Sequence, residues 1–223
     1  VVEDFMIAAN VAAAKALDYR PSLLASSLTT GRTKLIGLVA DNFTNPVFLV
    51  IFDHFTRLLQ DRGFCPLLVN LSGETDPAAS VALLRQYSVD GVIVASSTLP
   101  ASFAAAFRDA GLPVVHSFGR SEGGTAHVVG VDNVACGALA AQTLRVAGYG
   151  RIGYLGGPAG ATSAQDRWRG FASVAGLDAP CTFASAYSHD AGRAAMARLI
   201  AEGDQAEAWF CGDDLLSLGA IDA

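Results

Sequence analysis

From Leu35 onward the chain alternates short, wholly apolar runs with longer segments whose apolar positions recur every three to four residues. The runs LIGLVA (35–40), CPLLVN (65–70), GVIVA (91–95) and PVVHS (113–117) have strand length, and HVVGVD (127–132) adds another. After the first run, Phe48, Ile51, Phe52, Phe55, Leu58 and Leu59 fall on one helical stripe that Gly63 closes. Helices are expected likewise around 77–87 and 101–110. Strands that are apolar on both faces and separated by helices predict a parallel sheet covered on both sides.

Near Asp132 the pattern breaks and starts again. A helix over about 134–147 leads to RIGYLG (151–156), then to a helix on which Ala164, Trp168, Phe171 and Val174 share a face. CTFASA (181–186), a helix over about 190–202 and AWFC (208–211) complete the second series. The fold class expected is α/β, with two Rossmann-like lobes built on parallel sheets, over 34–131 and 132–223. Such sheets bind ligands outside the carboxyl ends of their strands, so a cleft between the lobes is the default site.

Upstream, residues 3–18 read as an alanine-rich helix with acidic residues in its first turn, which suits the helix dipole. The stretch YRPSLLASSLTTGRTKLIG follows (19–37). Pro21 is suited to open a short helix and Gly31 to close it. A helix that short is marginal alone and needs a partner to order; a plain linker whose leucines pack on the next domain is the alternative.

The order of helix, YRPSLLASSL, TTGRTKLIGLV and then DNFTNPVF resembles the junction of the lactose and galactose repressor family of bacterial transcription regulators. That resemblance implies a remnant of a helix-turn-helix DNA-binding headpiece over 1–20, a hinge helix and linker over 21–33, and an effector-binding core of the type I periplasmic-binding-protein design. It also implies that the chain is truncated at both ends. Ser27 and Leu28 would be the hinge's DNA contacts, with Leu28 wedged into the minor groove, where unstacking is offset by a bent duplex that touches more protein. Ala25, Ser26, Ser27 and Leu28 stand where the family commonly has Ala-Arg-Ser-Leu, so a groove-seeking charge is missing.

The same resemblance supplies a candidate effector site. Phe48 would stack on the ligand, although after Asn45 and Pro46 it is equally a core residue. Arg167, in Arg-x-x-Gly-Phe, would hold hydroxyl or carboxylate groups through its planar fork of donors; a solvated helix charge is the alternative. Asp214, in CGDDLLSLGA, would accept from the effector, with Asp213 replacing a common Asn or Gly; a carboxylate there also suits a helix cap. Tyr187 matches an aromatic contact, and Ser97 and Asp132 match polar cleft positions.

Composition narrows the picture further. At 223 residues, 52% hydrophobic and 16% charged, the chain has ample material for a core. The net charge of −6 argues against a generally basic nucleic-acid surface, though residues 1–34 carry +1 and the remainder −7. The 4 cysteines are far apart with no C-x-x-C pair, and Cys65, Cys181 and Cys211 sit in strand-like runs, so buried reduced thiols and a cytoplasmic setting are expected. No membrane-length apolar run or signal sequence is present. The glycines of GGPAGATSAQ lack the lysine of a phosphate loop. The 4 histidines have no metal-ligand spacing, and no nucleophile elbow or paired carboxylates mark an enzyme.

The expectation is therefore a homodimeric regulator, by its resemblance a repressor, with operator DNA and a small effector, most simply a sugar, as partners and no cofactor or metal. A periplasmic-type sugar-binding protein for transport or chemotaxis is the rival, and an α/β enzyme the more distant one.

Overall fold

A computed structural model describes residues 2–19, 22–43, 45–71, 76–99, 101–120 and 127–223. Two helices come first, α1 (Val2–Ala16) and α2 (Leu23–Thr30). The first α/β series is β1 (Leu35–Ala40), α3 (Pro46–Asp61), β2 (Cys65–Asn70), α4 (Pro77–Gln86), β3 (Gly91–Ala95), α5 (Ala101–Asp109), β4 (Val114–Ser117) and β5 (His127–Val129). The second is α6 (Asn133–Val146), β6 (Ile152–Gly156), α7 (Thr162–Ala175), β7 (Cys181–Phe183), α8 (His189–Ala201), β8 (Ala208–Cys211) and α9 (Asp214–Ile221).

The strands form two wholly parallel sheets, ordered β2-β1-β3-β4-β5 and β7-β6-β8. Successive residues of a strand point to opposite faces, and β1 shows the consequence. Leu38 packs with Phe52 and Ala95, while Val39 joins Leu84, Val92, Phe103 and Phe107 in a separate cluster. β6 is buried at every position. Tyr154 meets Phe171 and Trp168 of α7 on one side, whereas Leu155 meets Met196 of α8 and Leu216 of α9 on the other.

In the second lobe, glycines set how close the helices lie. A Cβ on Gly137 of α6 would sit 1.9 Å from the Arg167 carbonyl oxygen of α7, and one on Gly170 would sit 1.9 Å from the Val134 carbonyl oxygen. Gly219 of α9 makes the same kind of approach to the His189 carbonyl oxygen, at 2.0 Å. Only residues without a Cβ allow these backbones to touch.

At the base of the first lobe the connector is tied to the core. Gly31, at φ +66°, ends α2. The Thr33 and Lys34 amides then donate to the two carboxylate oxygens of Asp90 at 3.1 and 3.0 Å, and Thr33 Oγ1 donates to the Ser88 carbonyl at 2.7 Å. Leu28 is 89% exposed on α2, and Ser27 is partly buried. Pro21, expected to open this helix, lies outside the described residues.

Two expectations about burial change. Cys65 and Cys181 are exposed, because each begins an edge strand, and all 4 cysteines are free. Leu58 turns away from the α3 stripe and is 51% exposed. The runs at 127–132 and 181–186 are also strands for only their first three residues. Among the described residues, no helix is long and apolar enough to cross a membrane.

Candidate functional site

The carboxyl ends of both sheets face one another across a cavity of about 130 Å³. Its lining comes from the loop after β1 (Asp41, Asn42, Asn45), the start of α3 (Val47, Phe48), the ends of β3 (Ser97, Thr98) and β4 (Phe118), and Val131 and Asn133 at the crossing. The second lobe contributes Ser163 and Arg167 from α7, Tyr187 after β7 and Asp213 after β8. This is where a ligand sits in open parallel sheets, because the loops there vary freely above a rigid scaffold.

Asn45 belongs to both lobes. Its backbone is extended (φ −82°, ψ 119°), its Oδ1 accepts from the Val47 amide at 3.1 Å to cap α3, and its Nδ2 donates to Asp213 Oδ2 at 3.0 Å. Pro46 occupies the first helical turn, where a missing N–H costs nothing. Asp213 in turn caps α9, with Oδ1 accepting from the Leu216 amide at 2.9 Å. Burial pushes the Asp213 carboxyl above its ordinary value, against the opposing pull of these hydrogen bonds.

A second string of contacts crosses at Ser97. Its carbonyl accepts from the Thr162 amide at 2.9 Å, and its Oγ accepts from Ser163 Oγ at 2.9 Å. Ser163 Oγ is also 3.1 Å from the Tyr187 hydroxyl. Burial raises the Tyr187 phenol, so it stays protonated and can donate or accept. The Tyr187 ring is laid flat on the chain after β6, for a Cβ on Gly157 would come within 2.1 Å of it. Outside the cavity, Arg120 Nη1 meets Asp166 Oδ1 at 2.5 Å, a further link between the lobes.

Arg167 reaches from α7 into the cavity, and its Nη1 donates to the Gly212 carbonyl. Phe48 lies against Phe118 (centroids 5.2 Å apart, planes at 56°) and Phe52 (6.1 Å), so it is both core and lining. Thr98 Oγ1 donates to Asp41 Oδ2. Asn133 is 7% exposed, and its Oδ1 is buried without a hydrogen-bond partner.

Of the residues singled out in the sequence, the structure brings Phe48, Ser97, Arg167 and Tyr187 together. It does not bring Asp132 or Asp214. Asp132 is exposed and caps α6 through the Ala135 amide at 2.9 Å. Asp214 is exposed in the first turn of α9, and the carboxylate facing the cavity is its neighbour Asp213. Asp41, Asn45, Phe118, Asn133 and Ser163 complete a lining that sequence reasoning did not assign. Their only advance signal is their place one to five residues after an apolar run or at a helix start.

Among the described residues, no group of three or more His, Cys, Asp or Glu is placed to hold a metal ion. The arrangement is an aromatic wall with converging donors and acceptors.

Comparison with known proteins gives a consistent picture. A family model described as a periplasmic binding protein domain matches residues 36–223. Curated proteins named HTH-type transcriptional repressor PurR are similar, at 29% identity over 223 residues in Photorhabdus laumondii and 30% over 225 in Proteus mirabilis. Each alignment covers 96% of this chain and 65% of the relative, so the chain spans somewhat under two thirds of the curated relatives' length. Among solved structures, a complex of the transcriptional regulator CelR with cellobiose matches at 26% identity and TM-score 0.77, over 94% of this chain and 65% of that one. The Cra regulator of Pseudomonas putida, in complex with fructose 1-phosphate, shares the fold at 22% identity and TM-score 0.74, over 85% of this chain and 72% of that one.

Proposed function

Because the chain belongs to the periplasmic binding protein domain family, in the form that serves the lactose and galactose repressor family as its effector-binding core, we propose that it acts as a cytoplasmic transcription repressor controlled by a small effector. The effector, a sugar, binds between the lobes against Phe48, Ser97, Arg167 and Tyr187, with Asn133 and Asp213 as further contacts. The observation that carries this reading is one cavity lined from both lobes, with a short helix upstream tied to the first of them through Asp90.

A ligand shifts an equilibrium only by its unequal affinity for two states. Contacts to both lobes provide that inequality, since lobe separation would pull half of them away. The hinge helix α2 orders or frays with the lobe arrangement, and Ser27 and Leu28 enter the minor groove of operator DNA when it is ordered. Leu28, 89% exposed, is available for that role. Operator half-sites call for a homodimer, and Leu49, Val50 and Leu58 of α3 with Leu68 of the edge strand β2 offer an exposed apolar surface for a second copy. The hinge segment favours a regulator over a transport or chemotaxis protein, which would have no use for it.

The test is operator binding by fluorescence anisotropy, using the protein with a complete helix-turn-helix headpiece. Saturating effector should change operator affinity by about 5- to 150-fold, the usual range of coupling between sites. Unchanged affinity across a sugar panel that does bind the core would overturn the proposal.

A further inference from the structure

We propose that Phe118, Gly119 and Arg120, the segment that leaves β4, form a clasp that holds the two lobes together, with Arg120 and Asp166 as positioning residues for a cavity that neither of them lines. This rests on the reading of the cleft as the effector site and adds what brings its two walls together.

Each residue of the clasp faces a different neighbour. Phe118 is left-handed at φ +74°, a backbone conformation that a bulky residue seldom adopts and that persists where the surroundings enforce it. Its ring lies in the cavity wall, with its centroid 5.2 Å from that of Phe48. Gly119 passes between the end of β3 and the start of α7, where a Cβ would lie 3.3 Å from both the Ser96 carbonyl oxygen and Thr162 Oγ1. Arg120 then reaches α7 with two prongs, Nη1 donating to Asp166 Oδ1 at 2.5 Å and Nη2 to Gln165 Oε1 at 3.3 Å. Gln165 is oriented for this contact, since its Nε2 donates to the Ala159 carbonyl at 2.8 Å.

The helix that the clasp grips is the one that carries cavity residues. Residues three and four apart are neighbours on a helix surface, so α7 presents two adjacent stripes. Thr162 and Asp166 meet the first lobe, at the Ser97 carbonyl and Arg120, whereas Ser163 and Arg167 line the cavity. Fixing the first stripe fixes the second. A ligand against Phe118 touches the segment whose next two residues reach the other lobe.

The charges suit a contact that opens and closes. The Asp166 side chain is 11% exposed and has a second partner on its own helix, Arg169 Nη2 at 3.2 Å, while the Arg120 side chain is 37% exposed. When the lobes part, Asp166 keeps Arg169 and Arg120 passes into water. Neither charge is then left buried and alone, which is what makes a buried pair costly to break. A part-exposed pair biases an equilibrium modestly and is weakened by salt.

The experiment is amide hydrogen exchange by NMR on the purified chain, without effector. The Thr162 amide donates to the Ser97 carbonyl across the cleft at 2.9 Å, so its exchange reports lobe separation. The Val92 and Tyr154 amides, each bonded within one lobe to the Pro113 and Pro180 carbonyls at 2.8 Å, report unfolding of that lobe. In Arg120→Ala, Thr162 should exchange about three- to tenfold faster while Val92 and Tyr154 keep their rates. Arg120→Lys, which keeps the charge and loses the fork, should fall in between. Raising sodium chloride from about 0.02 to 0.5 M should speed Thr162 in the unaltered chain and change it little in Arg120→Ala. An unchanged Thr162 rate in Arg120→Ala, or equal acceleration of all three amides, overturns the clasp and leaves the effector site standing. Should Arg120→Ala fail to fold, the salt response of the unaltered chain decides the matter, and a Thr162 rate that does not rise relative to Tyr154 overturns it.

Discussion

Asn45 Nδ2 and Asp213 Oδ2 lie 3.0 Å apart across the cleft, so the residue that caps α3 in one lobe is hydrogen-bonded to the residue that caps α9 in the other. Each side chain divides its polar atoms between its own helix and the opposite lobe. Lobe arrangement and helix capping are thereby coupled at one point.

Replacing Asn45 tests that coupling. Asn45→Ala removes the α3 cap and the link to Asp213 together, and should lower the unfolding free energy by about 1–2 kcal/mol in urea denaturation. Asn45→Asp retains an oxygen for the Val47 amide but sets a carboxylate against Asp213. Its deficit should be largest at neutral pH and shrink on acidification, as one of the pair takes up a proton.

Asp213 should show its own pH signature. Burial raises its carboxyl above the ordinary value of 3.8, so the folded chain holds that proton more tightly than the unfolded one. The group therefore favours folding most below the ordinary value, and that contribution is lost as pH rises through the raised value. Measured as the stability difference between the unaltered chain and Asp213→Asn, it should decline over that window and stay flat at higher pH. Titrations elsewhere cancel in the difference.

The glycine contacts in the second lobe predict large effects from small changes. Gly137→Ala or Gly170→Ala places a methyl 1.9 Å from a backbone oxygen of the facing helix. Neither backbone can move aside without tilting α7, which carries Ser163 and Arg167. Each variant should lose about 3 kcal/mol or more of stability by urea midpoint and bind effector poorly at temperatures where it remains folded.

Asp90 should control how firmly the connector is held. It accepts from two successive amides, Thr33 and Lys34. Asp90→Ala leaves both without that partner, so limited trypsin digestion at Arg32 and Lys34 should speed up several-fold, while the melting temperature of the core moves little.

Much of this architecture is legible in the chain itself, because the signals are local. Burial on both faces of β1, β3 and β6 leaves near-unbroken apolar runs, and Pro46 with Asn45 marks a helix start without any tertiary knowledge. At the candidate site, Phe48, Ser97, Arg167 and Tyr187 line the cavity, and the family resemblance, not the local pattern, is what singles them out. Asp213 and Asp214 are adjacent carboxylates at a strand end, and which one faces the cavity depends on where α9 begins, a one-residue matter that pattern does not resolve. Asn133 and Ser163 look like ordinary helix-start residues, and Ser163 is tied to the cleft by its bond to Ser97 of the other lobe. Cys65 and Cys181 misled because an edge strand can be as apolar in sequence as a central one.

The central claim, that one small molecule is gripped between the lobes with Arg167 as a contact, is tested most directly by calorimetric titration of the best-binding sugar into the unaltered chain and into Arg167→Ala. Saturable binding at one site per chain, weakened at least tenfold in a variant that still melts cooperatively, is the expected result. Undiminished affinity in Arg167→Ala would contradict it.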